Sequence, residues 1–156
     1  MAKPNPTSTR RQWLGSALGA GTWVLLADTA KAANGELAAA ISRYTGGETV
    51  LRGRVKLDIA ELVDNGNVVP VTITVDSPML LDNYVKSVAV FNEKNPQRDV
   101  VKFTFSPRSG KAAVTTRIRL ANSQKLVAVA QLSDGSFWSH TVDVIVTLAA
   151  CIEGAT

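Results

Sequence analysis

The sequence predicts an all-β fold: an immunoglobulin-like antiparallel β-sandwich of about seven strands, preceded by a short N-terminal helix. Three observations lead there. From Val50 onward, apolar residues recur with a period of two. The apolar runs are short and are punctuated by turn-forming clusters such as Asp64-Asn65-Gly66-Asn67, Ser77-Pro78 and Ser133-Asp134-Gly135. No helical pattern is interleaved between them, which argues against a parallel α/β sheet. With 156 residues, 46% of them hydrophobic and 19% charged, the chain can bury one core. Its single cysteine excludes the inter-sheet disulfide of antibody domains.

Residues 1–32 read as an export leader. Arg10 and Arg11 form a twin-arginine pattern, an apolar stretch runs from Leu14 to Ala27, and Ala30-Lys31-Ala32 is a small-x-small cleavage site. The apolar stretch is shorter than the roughly 20 residues that span a bilayer. The expectation is therefore a periplasmic protein cut after Ala32, with no membrane attachment after cleavage. The net charge of +4 is concentrated in this leader, where Lys3, Arg10, Arg11 and Lys31 face Asp28 alone. The basic balance is thus no argument for nucleic-acid binding. A twin-arginine signal implies export in the folded state, which suits a protein that travels with a partner.

Residues 33–148 read as the folded domain. Leu37, Ile41 and Tyr44 fall on one helical stripe, with Asn34 as the N-cap and Gly46-Gly47 as the stop. Arg52 to Asp58 alternates around Val55 and Leu57. The Asp64–Asn67 turn separates it from Val68–Asp76, where Pro70 requires a strand start or an edge position. Further strands are expected over Val85–Asn92, Val100–Phe105, Ala112–Leu120, Leu126–Leu132 and Trp138–Leu148. In Ala112–Leu120, Val114, Thr116, Ile118 and Leu120 share one face, and Thr115, Arg117 and Arg119 share the other. The two arginines form either a solvated strand face or a seat for an anion or an acidic partner.

Most catalytic chemistry is excluded by residue type. His140 is the one histidine, and no nucleophile-elbow pattern accompanies it. One cysteine and one histidine cannot assemble a zinc or iron–sulfur site, so no metal and no cofactor is expected. No glycine-rich phosphate loop precedes a helix. What remains is the thiol of Cys151, in the segment 149–156 that follows the last strand. A lone cysteine in an exported protein pairs with another molecule, carries a modification, or is buried and inert. Its place beyond the last strand favours an exposed arm. A free thiol ionises at roughly pH 8.5, and Glu153 raises rather than lowers that value. The arm supplies reach, and activation is expected from whatever it docks into.

Several stretches together resemble the SoxY family, the sulfur-carrier subunit of a periplasmic thiosulfate-oxidising system. They are Asn65-Gly66-Asn67-Val68-Val69-Pro70-Val71, Asp76-Ser77-Pro78-Met79, Phe91-Asn92-Glu93-Lys94-Asn95-Pro96, Thr116-Arg117-Ile118-Arg119-Leu120-Ala121 and Leu132-Ser133-Asp134-Gly135-Ser136. The leader and the late cysteine fit as well. The resemblance implies a heterodimer with a SoxZ-like subunit and sulfur carried covalently on Cys151. It implies loading by the haem protein SoxXA, hydrolysis by SoxB and, where present, further oxidation by SoxCD. The protein itself would be a carrier, not an enzyme. Around the cysteine the sequence departs from the family's Gly-Gly-Cys-Gly-Gly tail. Ala149 and Ala150 replace the leading glycines, and Ile152, Glu153 and Gly154 follow. Ile152 stiffens the arm. The departure motivates a second reading: an interaction subunit that binds a SoxZ-like partner without carrying sulfur.

Overall fold

The computed structural model describes residues 24–150, with side chains from Gly35 onward. One helix, α1 (Val24–Thr45), precedes nine strands. These are β1 (Val50–Arg52), β2 (Val55–Asp58), β3 (Leu62–Asn65), β4 (Val69–Val75), β5 (Val85–Asn92), β6 (Asp99–Thr104), β7 (Ala113–Ile118), β8 (Gln124–Leu132) and β9 (Phe137–Leu148). They form a six-stranded sheet, β1-β9-β8-β5-β6 with β3 also on β9, and a three-stranded sheet, β2-β4-β7. The sandwich is the expected one.

The core lies between the sheets. Val69, Val71, Ile73 and Val75 of β4 face Val88 and Val90 of β5 and Leu126, Ala128 and Ala130 of β8, all buried. Burial of each large aliphatic side chain stabilises the fold by about 1.5–3 kcal/mol. The alternate residues of the central strands are covered too. Ala89, Phe91, Val127 and Val129 pack with Phe137 against Leu37 and Ala40 of α1. This explains why β5 and β8 read as continuous apolar runs, since strands covered on both faces lose their alternation. The helical stripe faces as predicted, and Ile41 and Tyr44 complete that layer. The helix ends in a Schellman motif: Gly46 and Gly47 have φ of +68° and +86°, and Gly47 N–H donates to Ser42 O at 3.0 Å. Its start differs from expectation. Asn34 lies inside the helix rather than capping it, because the Ala-rich stretch before it sustains helix back to Val24.

Pro70 obeys its constraint. Val75 N–H donates to Ala112 O at 2.8 Å, so alternation along β4–β7 leaves Pro70↔Arg117 as a pair without ladder bonds. On the other side β2 reaches only Thr72. Neither neighbour needs the N–H that Pro70 lacks.

The segment 50–65 departs from the prediction. A single strand was expected over Arg52–Asp58 and a turn alone at Asp64–Asn67. The chain instead runs as β1 on the larger sheet, crosses to the smaller one as β2, and returns as β3. Gly53 (φ +107°) and Arg54 (φ +50°) make the first crossing, with the Arg54 guanidinium held 5.0 Å above the Trp138 ring. Both β1 and β3 pair with β9 in parallel, Val50↔Phe137 and Leu62↔Ile145, so the sandwich is not purely antiparallel. Val55 and Leu57 of β2 alternate with exposed residues as read, whereas β1 and β3 are too short for alternation to show. The fragmentation also accounts for nine strands where about seven were expected. His140 sits where β9 passes between its β1 and β3 partners, and its Nδ1 accepts from Leu57 N–H at 3.1 Å, tying the two sheets together.

Candidate functional site

The last strand ends in a set of hydrogen bonds that fix the chain residue by residue. Ser123 Oγ accepts from Val146 N–H at 2.9 Å. Thr147 Oγ1 donates to Asp64 O at 3.0 Å. Leu148 O accepts from Gly66 N–H at 2.8 Å, and Ala150 N–H donates to Leu120 O at 3.0 Å. Leu120 N–H in turn donates to Gly66 O at 2.8 Å. Gly66 therefore bridges the end of β9 and the segment after β7. Ala149 is exposed, whereas Ala150 is buried at 7% exposure. The arm expected from Ala149 is thus held to the body through Ala150. Cys151, Ile152, Glu153 and Gly154 lie outside the described residues, as do Arg10 and Arg11.

Gly66 is required here for space rather than for backbone angle. A β-carbon on it would overlap Leu120 O and sit 3.0 Å from Ala150 N and 3.1 Å from the Val146 side chain. The turn around it is fixed locally: Asn65 Oδ1 accepts from Asn67 N–H at 2.9 Å, an Asx turn.

The other flank of the Leu120 segment is held by Asn95. Its Nδ2 donates to Arg119 O at 2.8 Å, and its Oδ1 accepts from Ala121 N–H at 3.0 Å and Gln124 Nε2 at 2.7 Å. Asn92, buried at 1% exposure, holds the same loop by donating to Gln97 O at 2.9 Å and accepting from Asn95 N–H at 3.1 Å. Gln124 Oε1 accepts from Lys94 N–H at 2.7 Å. Among the described residues no buried side-chain polar atom lacks a partner, so this network is complete and rigid.

Stretches far apart in the sequence converge on the root of the arm: Asn65–Asn67, Asn92–Asn95 and Arg119–Ala121. Each was visible as a turn or strand end, but no local pattern says that three such ends meet. Leu120, Ser123 and Gln124 were missed as site residues for that reason. Among the described residues, no group of three or more His, Cys, Asp or Glu comes together in a metal-holding arrangement. No described helix is long and apolar enough to cross a membrane.

The sequence profile of the sulfur oxidation protein SoxY matches residues 41–151, well over half of the chain. The chain belongs to the SoxY family. The match includes the clamped root and Cys151 itself. Among solved structures, the sulfur carrier protein SoxY from Chlorobium limicola f thiosulfatophilum is similar with a TM-score of 0.62 and 27% identity, covering 74% of this chain and 99% of that one. A superoxide reductase (neelaredoxin) from Ignicoccus hospitalis gives a TM-score of 0.54 at 18% identity, covering 59% and 78%. A putative superoxide reductase from Thermotoga maritima gives 0.52 at 18%, covering 63% and 87%. These last two share the fold alone. No curated protein sequence matches the chain significantly. As a SoxY protein the chain belongs to a sulfur-oxidation system and works with partner proteins.

Proposed function

We propose that this SoxY protein is a covalent sulfur carrier of periplasmic thiosulfate oxidation, with Cys151 as the attachment point. The observation that carries the reading is the clamp: the chain is anchored to the body through Ala150, immediately before the cysteine. A carrier needs its reactive group tethered at a defined place, because tethering raises the effective concentration that each partner enzyme meets. Family membership supports the chemistry.

In this reading the Cys151 thiolate joins the outer sulfur of thiosulfate, and two electrons leave to the haem of a SoxXA-type partner. Hydrolysis by a SoxB-type partner adds water, releases the terminal group as sulfate and leaves a persulfide. Where a SoxCD-type partner exists, it oxidises the remaining sulfur. A SoxZ-like subunit forms the resident heterodimer and leaves the cytoplasm with this chain through the twin-arginine route. Arg10 and Arg11 direct that export, and cleavage follows Ala32. Ala149 and Ala150 form the tethered base of the arm, and Ile152, Glu153 and Gly154 complete its segment. The carrier catalyses nothing.

The test is the intact mass of the mature protein isolated after growth on thiosulfate, with and without reductant. Reducible additions of sulfur or thiosulfate on the peptide containing Cys151 are expected, and Cys151→Ser is expected to stop thiosulfate oxidation in a reconstituted system. An unmodified thiol and a silent Cys151→Ser would instead favour the interaction subunit without cargo, the reading that Ile152 and Glu153 motivate.

A further inference from the structure

The sandwich has an open cleft beside the arm root. It has a volume of about 500 Å³ and lies between the outer strand of the smaller sheet, β7, and the loop that joins β5 to β6. Asn95, Gln97, Asp99, Thr116, Arg117 and Arg119 contribute to its lining. Arg117 and Arg119 are exposed, and among the described residues the one ion pair is Arg98 with Glu36, so neither arginine has a carboxylate at ion-pair distance. Asp99 is the single acid among the residues that line the cleft, which include Arg117 and Arg119.

The cleft and the arm flank the same short segment. Asn95 on the cleft wall bonds to Arg119 O and Ala121 N–H, while Leu120 between them holds Ala150. Ala150 pairs with the segment backbone to backbone, at a strand-like spacing of about 4.8 Å, and Asn95 reaches it through its side chain. Cys151 follows Ala150 by one peptide unit, about 3.8 Å between α-carbons. A second basic cleft, lined by Arg54, Lys56 and Lys111, lies at the opposite end of β4, around Val75, away from the root.

We propose that the Arg117–Arg119 cleft is an anion site that receives the sulfonate end of the group carried on Cys151. This rests on the carrier reading and names what the body contributes to it. Guanidinium groups match the oxygens of sulfonate in geometry and charge, and each is free to do so here. Binding the charged end beside the body holds the cargo until a partner takes it and offsets the repulsion from Glu153, which is on the same arm.

Two measurements test the site without any partner enzyme. In Cys151→Ser protein, titration with inorganic sulfate and with thiosulfate is followed by NMR. Shifts are expected at Arg117, Arg119 and Asn95, and they are expected to vanish in Arg117→Gln/Arg119→Gln. In protein with the native thiol, Cys151 is reacted with methanethiosulfonate reagents bearing either a sulfonate or a trimethylammonium group. The thiolate attacks the sulfenyl sulfur, a disulfide forms, and methanesulfinate leaves. The double variant is expected to slow the sulfonate reagent about fivefold, the factor that a modest surface charge contact gives, and to leave the ammonium reagent no slower. Arg119→Lys, which keeps the charge, is expected to retain most of the wild-type rate. Shifts confined to Arg54, Lys56 and Lys111, or equal slowing of both reagents, would overturn the proposal. If thiosulfate adducts form in the cell while the cleft binds nothing, the carrier reading stands and this site falls; the reverse result sinks the carrier and leaves an anion site.

Discussion

Gly66→Ala is the most direct probe of the arm root. The added methyl overlaps Leu120 O and crowds Ala150 N at 3.0 Å and Val146 Cγ1 at 3.1 Å. Two of the three neighbours are backbone, which cannot swing aside as a flexible side chain does. Relief requires the Leu120 segment to move off Gly66. That weakens Gly66 N–H to Leu148 O, Leu120 N–H to Gly66 O and Ala150 N–H to Leu120 O together. A net backbone hydrogen bond contributes about 0.5–1.5 kcal/mol, and overpacking costs about 1–3 kcal/mol. The φ of Gly66 lies outside the left-handed region, so alanine also gains about 0.4–1 kcal/mol from a less flexible unfolded chain. With the three bonds weakened by about one bond's worth in total and overpacking at about 2 kcal/mol, the net loss is about 2–3 kcal/mol. For a domain of this size that lowers Tm by about 10 °C. Thermal unfolding by circular dichroism reads the total, and amide hydrogen exchange at Leu120 and Ala150 reads the location. A Tm within about 2 °C of wild type, with both amides as protected as before, would refute the clamp.

Other outcomes follow from the same network and from the helix layer. Asn95→Ala leaves Ala121 N–H and the Gln124 amide without their partner, so a loss of about 2–3 kcal/mol is expected in denaturant melts; a loss under about 0.5 kcal/mol would show that water replaces the amide fully. Burial raises the Tyr44 phenol above its ordinary value of 10.0, and its hydrogen bond with Ser87 offsets this only in part. A raised folded-state value means the stabilisation is complete below pH 10 and is lost as pH rises through that higher value. Stability measured against pH is expected to fall on this alkaline side, and Tyr44→Phe is expected to flatten the fall; an equally steep fall in the variant would assign it elsewhere. Glu36→Ala removes the partner of Arg98, whose own side chain is 18% exposed against 63% for Glu36. A loss of at most about 1 kcal/mol is expected, and it should disappear in high salt; a salt-independent loss would mean that packing, not charge, holds this contact.

The sequence made the long elements plain because their patterns are long. Val85–Asn92 is found at its predicted bounds, since a run of apolar residues ended by Asn92 and Lys94-Asn95-Pro96 leaves little choice. The Leu37–Ile41–Tyr44 stripe identified the buried side of the helix, and Gly46-Gly47 its end. The segment 50–65 stayed hidden, because three strands of three or four residues divide their pairing between two sheets. Parallel pairing of β1 and β3 with β9 is a tertiary fact with no local signature. The same holds for the arm root. Asn65-Gly66-Asn67 was read correctly as a turn, yet the demand on Gly66 comes from Leu120 and Ala150, which are distant in sequence.

The clamp also reassigns the burden of flexibility. An arm of the usual glycine composition gains freedom along its whole length, including before the cysteine. Here Ala149 and Ala150 stand in those positions, and Ala150 is buried and bonded. Alanine at Ala150 is then no defect of an arm, because the residue works as the last part of the body; a glycine there would give up packing and add unfolded-state entropy. Substituting Ala150→Gly is accordingly expected to lower stability by about 0.5–1 kcal/mol and to raise exchange at its own amide. If Ala150→Gly instead left exchange unchanged, the hydrogen bond to Leu120 alone would hold the root, and the methyl group would contribute nothing.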